Sequence, residues 1–93
     1  MVEFIKLVTG EQTLNATSNT IGGTGTNARQ RVRVVNSNTT LQILNLVPAN
    51  GAANMAITIL PGTVTYIEKF GGDGLFTTNA AANCVAATIA FNQ

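Results

Sequence analysis

Residues Gln30 to Val35 read Gln-Arg-Val-Arg-Val-Val, and this stretch decides the fold class. Val32 and Val34 alternate with Arg31 and Arg33. A period of two places the valines on one face of an extended chain and the arginines on the other, the pattern of a half-buried β-strand. Arg29 continues the arginine row. The strand stops at Asn36-Ser37-Asn38, a tight-turn sequence, because Asn tolerates positive φ.

Working outward toward the C-terminus, Leu41 to Val47 forms a second strand with apolar residues on both faces. Pro48-Ala49-Asn50-Gly51 predicts a hairpin turn, since Asn-Gly accepts the positive φ that such turns require. Met55, Ile57 and Ile59 then make the inward face of the next strand, which Pro61-Gly62 breaks. Thr63 to Phe70 is a strand with Val64 and Tyr66 on one side and Ile67 on the other, which predicts a bulge or a two-sided surface. After a loop at Gly71 to Gly74, Leu75 to Thr78 pairs briefly and Asn79 to Asn83 has room for one helical turn. Cys84 to Phe91 closes the chain, with Val85, Ala87, Ile89 and Phe91 alternating.

Toward the N-terminus, Gly22 to Asn27 reads as a flexible loop, and Gln12 to Ala16 as a short, weakly patterned strand. Glu3 to Val8 is a stronger one, with Phe4 and Val8 on one face and Ile5 and Leu7 on the other. Two apolar faces suggest a central strand, or one that touches another subunit. The whole is one domain, residues 1–93, with six to eight short strands and no sustained helical period. That is the signature of an all-β fold, a small antiparallel β-sandwich or barrel.

Composition agrees. Thr and Asn make up about a quarter of the chain, supplying strands and turns respectively. Charged residues are 10%, well below the usual ~25%. A free soluble domain carries more charge to keep its copies apart, so low charge fits a surface covered in the working state. The net charge of +1 provides no bulk attraction to nucleic acid or to a membrane. No apolar run reaches the ~20 residues of a membrane span, and the first residues lack the pattern of a signal peptide. A single cysteine, Cys84, leaves no internal disulfide and reads as a buried residue of the last strand. Together these place synthesis and use in a cytosol, or export inside something larger.

Chemistry has little to build on. The chain has no histidine, and Glu3, Glu11, Glu68 and Asp73 are scattered singly. Neither a tuned acid–base pair nor an activated nucleophile is in view, so we expect no enzyme, no metal and no cofactor. Gly71-Gly72-Asp73-Gly74 lacks the Lys-Ser/Thr and helix of a phosphate loop and the oxygen ligands of a calcium loop. Arg29, Arg31 and Arg33 are the one concentrated charge feature. They form either a solvated face or a contact to an acidic protein surface, because Arg pairs bidentately with carboxylates. Nucleic acid ranks behind both, since no aromatic residue interleaves the arginines to stack bases. A glycan-binding, host-attachment module is a further alternative, disfavoured by the absence of Trp and the presence of one Tyr. Phe4, Ile5, Tyr66 and Phe70 join the arginines as candidates for a protein interface, where aromatic residues and Arg are enriched.

Five short motifs carry a resemblance that covers most of the chain: Lys6-Leu7-Val8-Thr9-Gly10, Arg31-Val32-Arg33-Val34-Val35-Asn36, Ile59-Leu60-Pro61-Gly62-Thr63, Tyr66-Ile67-Glu68-Lys69 and the Ala-rich last strand. In layout they resemble the small virion structural proteins of tailed bacteriophages, notably those of cyanobacterial phages. The resemblance implies a capsid decoration or cement protein, made in the host cytoplasm and located on the virion surface. Its implied partners are the major capsid protein or another virion protein, together with further copies of itself. A tail or connector component is the alternative within the same setting.

Overall fold

The computed structural model describes residues 4–21, 29–78 and 84–92, with the backbone alone at Phe4, Phe91 and Asn92. Expectations for Gly22 to Asn27 and for Asn79 to Asn83 lie outside the described residues. Among those described there are eight strands and no helix: β1 (Phe4–Leu7), β2 (Gln12–Thr13), β3 (Arg29–Asn36), β4 (Gln42–Val47), β5 (Met55–Ile59), β6 (Thr63–Phe70), β7 (Gly74–Thr77) and β8 (Cys84–Asn92). All pairings are antiparallel. Sheet A runs β1-β8-β3-β6, with β2 also on β8, and sheet B runs β5-β4-β7. The chain is all-β, as the period-two pattern requires.

β3 is the centre of sheet A, flanked by β6 and β8. Its inward residues Val32, Val34 and Asn36 are fully buried, while the arginines point the other way. Across the sandwich, Leu44, Ile59 and Leu75 of sheet B close the core against Val32, Val34, Cys84 and Ala86. Burying a Val or Leu side chain stabilises the fold by roughly 1.5–3 kcal/mol, so this cluster is the main apolar contribution.

One side of the sandwich is closed by the chain itself. β2 lies on β8, and then Asn15 and Asn19 bond to Thr77 and Leu75 of β7. The segment thus passes from sheet A to sheet B, and Leu14 and Ile21 fill the gap beneath it. Between β1 and β2, residues 8–11 occupy the length of only two residues of β8. Thr9 anchors this bulge: its hydroxyl meets that of buried Thr88 at 2.6 Å and accepts a hydrogen bond from the Thr88 amide.

The structure decides three strand-level readings. β1 is an edge strand of the described sheet, with Ile5, Leu7 and Val8 exposed, and is not central. β6 pairs with β3 over eight residues without a bulge, so its two-sided pattern reflects Ile67 beneath the sheet and Val64 and Tyr66 above it. Met55, Ile57 and Ile59 do share the inward face of β5, opposite Leu46, Leu44 and Gln42, but only Ile59 is covered. A sequence period assigns the face of a strand, but not how far the opposite sheet covers it.

The turns follow their residues. Gly51 (φ 84°) and Gly62 (φ 69°) take the left-handed conformation, which suits glycine. Asn36 ties the β3–β4 turn to the end of β5: its amide nitrogen lies 3.1 Å from the carbonyls of both Thr40 and Ile59 and 3.4 Å from that of Leu60. Its oxygen accepts from the backbone and side-chain nitrogens of Asn38.

Candidate interaction surface

The register of β3 assembles the outer face of sheet A. Arg29, Arg31, Arg33 and Val35 stand opposite Phe70, Glu68, Tyr66 and Val64 of β6. On the other flank Arg31 and Arg33 stand opposite Ile89 and Ala87, and Ile89 in turn opposite Leu7 of β1. Directly opposed residues share a face. Ile5, Leu7, Val64, Tyr66 and Phe70 therefore lie on one surface with the arginines, and all five are 43–76% exposed. The structure thus brings together six residues singled out in the sequence: Ile5, Arg29, Arg31, Arg33, Tyr66 and Phe70. Phe4 stands opposite Asn92 in the register, and its side chain is outside the described residues.

The arginines are not a bare cationic stripe. Arg29 Nη1 lies 3.0 Å from Glu68 Oε1, and its guanidinium sits 5.8 Å from the centroid of the Phe70 ring. Arg33 Nη1 is 3.5 Å from Glu11 Oε2, a carboxylate carried in by the bulge between β1 and β2. Exposed pairs such as Arg29–Glu68 contribute little stability, about 0–1 kcal/mol. Their effect is on recognition: carboxylates of the chain itself already occupy guanidinium groups that an acidic partner would seek. The face is therefore amphipathic and nearly balanced in charge. Sequence reasoning missed Glu68 and Glu11 here because cross-strand pairing is a tertiary fact, although the parity shared by Glu68 and Tyr66 was a signal.

A second group lies at the end of the sandwich. Lys69 is 3% exposed, on the inward parity of β6 shared with Ile67. Its ammonium donates to Gln30 Oε1 and to the carbonyls of Phe70 and Gly71. Burial lowers its pKa below the ordinary value, opposed by the charge of Asp73. Asp73 accepts from the amides of Ala49 and Phe70, so it ties the β6–β7 turn to the β4–β5 turn. These bonds use the polar groups of both residues to hold turns, which is an architectural role. A lysine at an inward parity was legible in the sequence and was passed over.

Cys84 is fully buried, and burial pushes its thiol up from the ordinary value, away from nucleophilic use. No group of three or more His, Cys, Asp or Glu residues is placed to hold a metal among the described residues. No described helix is long and apolar enough to cross a membrane. No protein-family profile, curated protein or solved structure matches the chain.

Proposed function

We propose that this chain is a non-enzymatic structural protein that docks onto other proteins through the outer face of sheet A. The observation that carries the reading is the gathering of Ile5, Leu7, Val64, Tyr66 and Phe70 on one exposed surface, around arginines that already hold carboxylate partners. These five residues form two exposed apolar groups, one on β1 and one on β6, on either side of the arginine strand and the buried Ala87 and Ile89 of β8. Exposed apolar surface rimmed by polar residues marks an interaction site. Pre-paired charges lower the desolvation penalty of covering it, because Arg29 and Arg33 keep a counter-ion when water leaves. Aromatic residues and Arg are also the types enriched in interface cores.

The setting we propose is the virion of a tailed bacteriophage, with the major capsid protein as the docking partner and self-association between copies. Its support is the sequence resemblance together with a low-charge, all-β chain suited to lasting coverage. Co-sedimentation with empty capsids tests it. Wild-type protein should pellet with the shells, and Tyr66→Glu/Phe70→Glu should lose most of that binding while keeping its circular dichroism. Wild-type protein that stays in the supernatant at saturating capsid would refute the reading. Copy number by quantitative mass spectrometry separates head from tail: hundreds per particle for a head lattice, about six to twelve for a ring.

A further inference from the structure

Charge is distributed unevenly along this chain. Between Arg33 and Glu68 the sequence contains no Asp, Glu, Lys or Arg, and that stretch supplies all of β4 and β5. With β7 reading Gly-Leu-Phe-Thr, no described strand of sheet B carries a charged residue. Sheet A holds the arginines, Glu68 and Lys69.

β5 is the outermost strand of sheet B and pairs with β4 alone among the described residues. An uncovered edge offers a row of backbone donors and acceptors to any approaching strand. Proteins usually blunt such edges with charge, proline or a bulge. Met55-Ala56-Ile57-Thr58-Ile59 has no charge and no proline, and its register with β4 is unbroken. Beside the edge runs a largely apolar groove lined by Leu44, Leu46, Met55, Ile57 and Ile67 together with Glu68, whose carboxylate is paired with Arg29. Met55 and Ile57 are 61% and 46% exposed there, although they belong to the inward face. The far side of the sandwich shows how such a gap is filled: an extended segment pairs along the sheet and inserts Leu14 and Ile21.

We infer that a second copy of this chain docks on the β5 edge, the two β5 strands pairing antiparallel across a two-fold axis at Ile57. Charge selects this occupant. Around that axis Met55 faces Ile59 of the other copy and Ala56 faces Thr58, so every opposed pair is uncharged and like faces coincide. A charged segment would find no counter-ion on β5 and would lose hydration on entering the groove, where the one carboxylate, Glu68, is already paired with Arg29. Pairing makes one six-stranded sheet from two three-stranded ones and covers Met55 and Ile57. Size sets the strength. A contact made by two five-residue edge strands and the side chains beside them is small, so the dimer is weak. A lattice that holds copies side by side strengthens such a contact through local concentration.

Sedimentation equilibrium of the full chain tests this. The average mass should rise with concentration from 9.7 kDa toward twice that value. Ala56→Lys and Thr58→Lys, at exposed positions, should weaken association at least tenfold while leaving circular dichroism and Tm unchanged. Oxidation of Ile57→Cys should give a disulfide dimer. Met55→Cys should not, because its two copies would lie about 13 Å apart, beyond disulfide reach. Wild type, with only the buried Cys84, is the control. A chain that stays monomeric at millimolar concentration, a dimer indifferent to Thr58→Lys, or equal cross-linking at 55 and 57 would each overturn the inference. The outcome is separable from capsid docking, because Tyr66→Glu/Phe70→Glu alters the outer face of sheet A and leaves the β5 edge intact.

Discussion

Replacing Asn36 by Asp changes one side-chain group and no shape, yet it should remove a large part of the stability of this domain. Asn36 is fully buried, and its amide nitrogen is directed at the carbonyls of Thr40, Ile59 and Leu60. Aspartate puts an acceptor where the donor stood, facing three acceptors. Each buried group left without its partner costs about 1–3 kcal/mol, and an uncompensated buried charge about 3–5 kcal/mol. These contributions overlap, so we expect a loss of about 4 kcal/mol from a total on the order of 5–10 kcal/mol. For a domain of this size that lowers Tm by about 15–30 °C. Urea unfolding followed by far-ultraviolet circular dichroism would measure it. The sign of the pH dependence is a second check. Burial beside carbonyls raises the folded-state pKa of the new carboxyl above its unfolded value, so the folded state binds more protons between the two. Stability therefore falls as pH rises through that window and recovers on acidification, when the protonated acid can donate again. A variant within 1 kcal/mol of wild type at pH 7, or one with no acid recovery, would show that Asn36 is not the tie described here.

Three further outcomes follow from the same structure. Ile59→Ala should cost about 2–5 kcal/mol because Ile59 is in the core, whereas Ile57→Ala in dilute solution should cost under ~1.5 kcal/mol, as urea midpoints would show. Gly62→Ala should cost about 1–2 kcal/mol: the space around it is open, but φ is 69°; an unchanged Tm would contradict the turn. At alkaline pH two buried groups act in opposite directions. The raised pKa of Cys84 makes stability fall as pH climbs above 9.0, and the lowered pKa of Lys69 makes it rise on approach to 10.5. Cys84→Ala should flatten the fall and Lys69→Met should abolish the rise, both read from Tm against pH.

Period-two alternation located β3, and the Asn-Gly and Pro-Gly pairs located the turns that end β4 and β5, because these signals are local. The parity of Val64, Tyr66 and Ile67 was equally plain, but a bulge and a flat two-sided strand give the same pattern. Only the eight-residue register with β3 distinguishes them. Candidate interface residues were legible as types, and their meeting on one face was not. Ile5 comes to the arginine face only because β8 lies between β1 and β3, a pairing across most of the chain.

What the sequence alone determined is the all-β class, the faces of each strand and the scarcity of chemical groups, since side-chain identity and strand periodicity depend on neighbours along the chain. The tertiary structure decided which faces are covered. Met55, Ile57 and Ile59 share one face, but only Ile59 is buried. Arg29 and Arg33 read as free cations until strand order set Glu68 and Glu11 beside them. Coverage and charge pairing depend on which strands become neighbours in space, and closing those long loops is a property of the whole fold.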